Sequence, residues 1–136
     1  MTKQIYVNLP VRDLQRSRAF FEELDFDFDS RFTNDDAACL VIEDNIYVML
    51  LTEPFFQTFT TKPICDARQS TEMLLCLSCE TRSQVDDMVA RAASAGGNVP
   101  RKVQDLGFMY SHAFEDLDGH IWELVYMEAG SERERA

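Results

Sequence analysis

The chain has 136 residues, of which 46% are hydrophobic and 27% charged, a composition typical of one soluble globular domain or of two small halves. Its 13 basic and 24 acidic side chains give a formal net charge of −11, so we expect neither a nucleic-acid-binding surface nor electrostatic docking on anionic lipid. No apolar run approaches the ~20 residues that cross a bilayer, and no apolar signal region follows Met1, so we expect a cytoplasmic protein.

The first half of the chain predicts the element order β-α-β-β-β. Alternating apolar side chains predict a strand over residues 4–11, and Asp13 is placed to cap a helix that ends near Leu24. Three strands are predicted after this helix, a half-exposed one followed by two that are apolar on both faces, over residues 26–32, 38–42 and 45–51.

The second half of the chain predicts the same order again, after a connection with one helical turn at residues 55–59. The predicted elements are a strand over 73–79, a helix capped by Thr81 or Ser83 and stopped at Gly96, a short strand over 99–103, and a hairpin of 108–114 and 120–127. We therefore divide one domain, residues 1–128, into a first module (4–53), a connection (54–71) and a second module (72–128), followed by a flexible tail (129–136).

This internal repeat predicts the fold class. Each β-α-β-β-β module has one helix and leaves one face of its sheet uncovered. We expect an α+β fold in which two such modules form a curved mixed sheet with a central cleft and with the helices outside. Such a cleft is the default site for a small-molecule ligand.

Two segments of the chain resemble the vicinal oxygen chelate superfamily. Leu9–Phe21 looks like the strand-to-helix opening of that superfamily, and Asp116–Leu124 looks like its closing hairpin. The superfamily includes glyoxalases (lactoylglutathione lyases), extradiol dioxygenases, and fosfomycin- and bleomycin-resistance proteins. The nearest branch is the small proteins often described as predicted lactoylglutathione lyases. The resemblance implies this fold and a homodimer.

Most positions that hold metal ligands in that superfamily are occupied in this chain by residues that do not match those ligands. The first-strand position is Tyr6, its counterpart in the second half is Leu74, and the mid-chain acidic position falls within Met49–Leu51, which holds no donor. Only the last ligand is matched, by Glu123. Because a transition metal needs three or four protein donors, we expect no cofactor and disfavour a divalent metal.

The closing hairpin suggests a polar pair. If Asp116–Gly119 is a four-residue loop, His112 lies directly opposite Glu123 on one face of the sheet. These two side chains are then candidates for a catalytic acid/base pair or for anchoring a ligand. The alternative is an ion pair that only stabilises the sheet, and both interpretations stay open at this point.

Other side chains are candidates for ligand contact because the resemblance or the strand pattern places them near the cleft. Phe55 and Phe56, in the connection, are candidates for a lid over the cleft or for a dimer contact. Trp122 is expected in the core, and His120 is expected to bond the hairpin loop. The remaining ligand-contact candidates are Tyr6, Asn8, Met49, Leu74, Cys76 and Tyr110.

Three classes of function are compatible with these residues. The first is a glyoxalase-like protein that binds a small organic molecule in the cleft, and a lyase or isomerase that uses Glu123 is the enzymatic form of it. The second is a non-enzymatic dimer that sequesters a drug or metabolite and whose acidic surface suits a cationic ligand. The third is a regulatory or structural dimer without a ligand.

Overall fold

The computed structural model describes residues 3–128, and the chain divides into two compact units after Asp66. Each unit contains a four-stranded mixed sheet and a long helix in the order β-α-β-β-β, so the predicted α+β class and the predicted duplication are confirmed. The division lies inside the segment predicted as the connection, and the predicted flexible tail lies outside the described residues. No helix within residues 3–128 is both long and apolar enough to cross a membrane.

The sheet of the first unit has the strand order β1-β4-β3-β2, where β1 runs parallel to β4 and the other neighbours are antiparallel. The elements of this unit are β1 (Ile5–Val11), α1 (Leu14–Glu23), β2 (Asp27–Asp29), β3 (Ala37–Glu43), β4 (Ile46–Thr52) and α2 (Glu53–Phe56). The strand predicted over 26–32 ends at Asp29, whose side chain accepts from the amide of Arg31 and starts a 3-10 turn. A second 3-10 turn follows α2, so the predicted helical turn is confirmed.

Helix α1 begins and ends where its sequence predicts. The Asp13 side chain accepts from the amide of Arg16, which satisfies one free N–H of the first turn. After the cap residue Leu24, Asp25 adopts a φ of +66°, the left-handed conformation that usually favours glycine. The buried residues on the inner face of the helix are Leu14, Ser17, Phe20 and Phe21.

The sheet of the second unit has the order β5-β8-β7-β6, which repeats the order of the first unit. Its elements are β5 (Leu74–Ser78), α3 (Arg82–Ser94), β6 (Gln104–Asp105), β7 (Met109–Glu115) and β8 (Ile121–Met127). Thr81, one of the two predicted caps, accepts from the amide of Gln84. The strand predicted over 99–103 is wrong, because Pro100 lacks an N–H and β6 pairs with β7 only at Gln104 and Asp105.

The two faces of this second sheet differ. Tyr110, Phe114 and Trp122 lie on the face toward α3, where Phe114 and Trp122 are fully buried and Tyr110 donates to Asp86 of the helix. On the opposite face, here called the open face, no helix from residues 67–128 packs. The strand residues on the open face are Leu74, Cys76, Ser78, Gln104, Met109, Ser111, Ala113, Glu115, Ile121, Glu123, Val125 and Met127.

Gly119 in the β7–β8 loop provides a stability prediction. Its φ is +91°, and a Cβ there would lie 2.9 Å from the backbone C and O atoms of Ala67. We expect Gly119→Ala to lower the free energy of unfolding by about 2 kcal/mol, the sum of the strain of positive φ and a backbone clash. Gly107, with φ +83° and no atom within 4 Å of its Cβ position, is the matched control.

For this control, Gly107→Ala, we expect a loss of only about 1 kcal/mol, because strain acts there without a clash. Urea denaturation of the two variants measures the difference. Equal losses in both variants would contradict the close approach of Ala67.

Candidate functional site on the second sheet

The hairpin pairs its two strands one residue away from the predicted register. Ala113 lies opposite Glu123, and His112 lies opposite Leu124. The predicted pairing of His112 with Glu123 is therefore wrong. The reason is the loop, which includes His120 because the Asp116 side chain accepts from the amides of Asp118 and His120. A one-residue change in register moves a side chain to the other face of a sheet.

His112 and Tyr110 accordingly lie on the α3 side of the sheet, away from Glu123. The Tyr110 hydroxyl donates to Asp86 at 2.6 Å, and this bond raises the pKa of Tyr110. His112 Nε2 lies 3.0 Å from the backbone oxygen of Arg101 and donates to it, since a carbonyl can only accept. Tyr110, a predicted ligand-contact residue, therefore lies on the same face as His112 and on the opposite face from Glu123.

The partner of Glu123 is Arg101, which comes from the irregular segment between α3 and β6. Arg101 Nη2 lies 3.0 Å from Glu123 Oε1, and the two side chains are 33% and 22% exposed. The same nitrogen donates to Ser111 Oγ at 3.0 Å. The Arg101 side chain therefore lies on the open face, beside β7 and β8. Without it, the Glu123 carboxylate would be surrounded by apolar neighbours and would have no partner.

Sequence reasoning missed Arg101 and Ser111. Two signals pointed to them: Pro100 argues against a strand at this position, and a carboxylate flanked by Ile121 and Val125 requires a cation nearby. Neither signal identifies which of the chain's cations takes that place, because Arg101 is distant from Glu123 in sequence.

Cys76 and Leu74, two predicted ligand-contact residues, share the open face with Glu123. Cys76 lies directly opposite Glu123 on the parallel strand β5, and Leu74 is 56% exposed. Cys76 is exposed, but partial desolvation of its thiol, and then the charge of Glu123, raise the pKa of Cys76. A raised pKa disfavours the thiolate, which is the nucleophilic and metal-binding form of a cysteine.

Three other predicted residues share one face of the first sheet. Tyr6 lies opposite Tyr47 with the two rings stacked 4.9 Å apart, and Asn8 lies opposite Met49. The Tyr6 hydroxyl donates to the side chain of Gln4. Met49 pairs with Asn8 as Glu123 pairs with Cys76, so a thioether stands in β4 where β8 has its carboxylate.

The two phenylalanines of the connection lie in α2. Phe55 and Phe56 are half-buried, and the Phe55 ring packs edge-to-face on Phe59 at 5.2 Å. Phe59 is 70% exposed. Their role as a lid or as a dimer contact stays a prediction.

The donor set does not fit the metal that the family resemblance implies. Leu74 has no donor atom, Met49 has only a thioether, and the Tyr6 hydroxyl is bonded to Gln4. Glu123 is paired with Arg101, which already supplies a positive charge to it. Within residues 3–128, no three His, Cys, Asp or Glu side chains lie close enough together to hold a metal ion.

Replacing Arg101 tests how much the Arg101–Glu123 ion pair contributes to the free energy of unfolding. We expect Arg101→Met to lower the free energy of unfolding by about 1–2 kcal/mol, because it leaves a largely buried carboxylate unpaired. Adding Glu123→Gln to this variant should recover part of the loss, since the uncompensated charge is gone. A double-mutant cycle followed by urea denaturation measures the coupling.

The control for this cycle is an exposed pair of the same kind, between Arg91 and Asp87 of α3 at 2.9 Å. Arg91→Met should cost no more than about 0.5 kcal/mol, as is usual for surface ion pairs. Equal losses for Arg101→Met and Arg91→Met would contradict a special role for the Arg101 pair.

Comparisons with known proteins agree with this fold. A sequence model of the family described as Glyoxalase/Bleomycin resistance protein/Dioxygenase superfamily matches residues 3–124. A hypothetical protein from S. aureus is similar in structure, with 25% identity, a TM-score of 0.79, and coverage of 93% of this chain and 94% of that chain. No curated protein matches the chain significantly.

Two further solved structures share the fold at lower identity. A glyoxalase/bleomycin resistance protein/dioxygenase family enzyme from Burkholderia phytofirmans PsJN is 16% identical, with a TM-score of 0.77 and coverage of 93% and 100% of the two chains. A fosfomycin resistance protein from Mesorhizobium loti is 17% identical, with a TM-score of 0.69 and 98% coverage of each chain.

Proposed function

Because the chain belongs to the Glyoxalase/Bleomycin resistance protein/Dioxygenase superfamily, we propose that it binds a small organic molecule on the open face of its second sheet, without a transition metal. The observation that carries this proposal is the Arg101–Glu123 pair. It places a polar anchor that water can reach among the apolar side chains of Leu74, Ile121 and Val125. Sites for small organic ligands combine apolar walls with a few fixed polar groups in this way.

The pair also supports metal-independent binding. A metal ion at Glu123 would lie beside the Arg101 guanidinium, whose positive charge repels a cation and which is held by Ser111 as well as by Glu123. Partial desolvation and the charge of Glu123 raise the pKa of the neighbouring Cys76 thiol, which disfavours the thiolate that a metal ion would bind. We therefore favour a binding or sequestering role over a metal-dependent lyase that uses Glu123.

Elemental analysis of protein purified without chelator tests the metal part of the proposal. The expected result is no stoichiometric transition metal. One metal ion per chain would overturn it and would favour the lyase interpretation.

A ligand screen tests the binding part. Aromatic cations, neutral aromatic alcohols, glutathione adducts and fosfomycin are compared by thermal shift, since a ligand of the native state raises the melting temperature. For each hit, the amide chemical shifts of β5 and β8 are measured by NMR. The expected result is at least one hit that moves the amides of Cys76 and Glu123. Hits that move only amides elsewhere, or the absence of any hit, would contradict binding on the open face.

A further inference from the structure

The guanidinium of Arg101 has used its terminal donors within the protein. Nη1 donates to the backbone oxygen of Lys102 at 2.9 Å and, more weakly, to that of Ser111 at 3.5 Å. Nη2 donates to Ser111 Oγ and to Glu123 Oε1, each at 3.0 Å. Each terminal nitrogen carries two N–H groups, so all four are engaged. A carboxylate or phosphonate ligand therefore finds no free fork of two N–H groups for a bidentate pair.

The Glu123 carboxylate, in contrast, keeps an acceptor. Arg101 bonds Oε1, and among residues 3–128 Oε2 has no hydrogen-bond partner. The side chain is 22% exposed, so a ligand atom can approach it from the open face. An ionised carboxylate oxygen accepts hydrogen bonds that are stronger than those between neutral groups.

The residues around Glu123 also favour a ligand that is a hydrogen-bond donor and not an anion. Glu115 is a second carboxylate on the open face and repels an anion. The side chains of Leu74, Ile121 and Val125 add apolar surface beside Glu123. A ligand that fits this surface has an apolar body and one group that donates a hydrogen bond.

We propose that the open face binds molecules that join an apolar body to a hydroxyl, amide or ammonium group, which donates to Oε2 of Glu123, and that it discriminates against carboxylates and phosphonates. This inference rests on the proposed function and specifies its ligand class. Arg101 acts in it as a positioning residue, which fixes the carboxylate and is not itself a contact for the ligand.

Three matched probes test the ligand class: 3-phenylpropylamine, 3-phenylpropan-1-ol and 3-phenylpropanoate. They share one apolar body and differ only in the head group. Their dissociation constants are obtained from the amide shifts of Cys76, Glu123 and Val125 in NMR titrations. We expect the carboxylate to bind at least about tenfold more weakly than the amine, which corresponds to one charge-assisted hydrogen bond.

The substitution Glu123→Gln supplies a sharper test, because it inverts the polarity of the site. With its amide oxygen bonded to Arg101, the glutamine presents an NH2 group where Oε2 was. The amine should then bind about tenfold more weakly than to the wild type, and the carboxylate should bind more tightly. Thermal melting and the amide spectrum establish that the variant is folded.

Glu115→Gln is the matched control, since it removes the same charge from the same face. If the net charge of the protein alone attracted the amine, Glu115→Gln and Glu123→Gln would weaken it equally, and that result would overturn the assignment of Glu123. Tighter binding of the carboxylate to the wild-type open face would overturn the inference and leave the proposed function standing. Absence of open-face shifts with all three probes would overturn the proposed function and this inference with it.

Discussion

Replacing Trp122 by alanine should lower the free energy of unfolding by about 4 kcal/mol, because a large aromatic side chain is removed from the core. Trp122 is fully buried, and its ring stacks on Phe114 with centroids 6.1 Å apart. Its Nε1–H donates to Asp116 Oδ2 at 3.0 Å. The substitution removes a large apolar volume and one hydrogen bond, and the total stability of a domain is only about 5–15 kcal/mol.

The measurement for Trp122→Ala is urea denaturation followed by far-UV circular dichroism, because the chain has a single tryptophan and the variant loses its fluorescence. Trp122→Phe keeps an aromatic ring beside Phe114 and should cost about half as much. As an exposed aromatic control, Phe59→Ala should change the stability by no more than about 0.5 kcal/mol. A loss below about 1 kcal/mol for Trp122→Ala would contradict its position in the core.

Asp116→Ala should lower the free energy of unfolding by about 3 kcal/mol, because it orphans three N–H groups at once. Asp116 Oδ1 accepts from the amides of Asp118 and His120, and Oδ2 accepts from Trp122. The residue is 6% exposed. Its burial raises its pKa, and the charge of His120 and the N–H groups of Trp122 and Asp118 oppose that rise.

Asp116→Asn separates the loop bonds from the tryptophan bond. An asparagine can keep its oxygen toward the two loop amides, but its NH2 group then faces the Trp122 N–H. We expect this variant to lose about half as much stability as Asp116→Ala. The loop residues also set the register of the hairpin, so NMR cross-strand contacts between Ala113 and Glu123 should persist in Asp116→Asn. Loss of these contacts in a folded variant would show that the two loop bonds do not by themselves hold the register.

Periodicity was sufficient to predict the repeated β-α-β-β-β order, since the long elements show their apolar faces in the sequence. Helix α1 illustrates this, with its cap at Asp13 and its apolar stripe both visible in the sequence. The short elements were harder to predict. Strand β2 ends early because Asp29 bonds the next turn, and β6 has only two residues, Gln104 and Asp105.

The candidate site was only partly predictable for a related reason. The alternation of β8 was enough to place Glu123 on a face with Ile121 and Val125. Its partner depended on whether the hairpin loop includes His120, and that one residue decides whether His112 shares the face. The loop bonds of Asp116 settle this register, and they are formed by a side chain that is buried only in the folded chain.

The sequence alone therefore determined the α+β class, the duplication, and the isolation of one carboxylate, Glu123, on an apolar strand face, because these follow from local patterns of polar and apolar residues. Only the tertiary structure decided that Arg101 neutralises this carboxylate and that His112 does not. An ion pair between residues far apart in the chain depends on the path of the intervening segment, and no local pattern encodes that path. One of the 24 acidic residues, Glu123, thus has its charge balanced by Arg101 from outside the strands. Its second oxygen, Oε2, is the atom that we propose as the hydrogen-bond acceptor for a ligand.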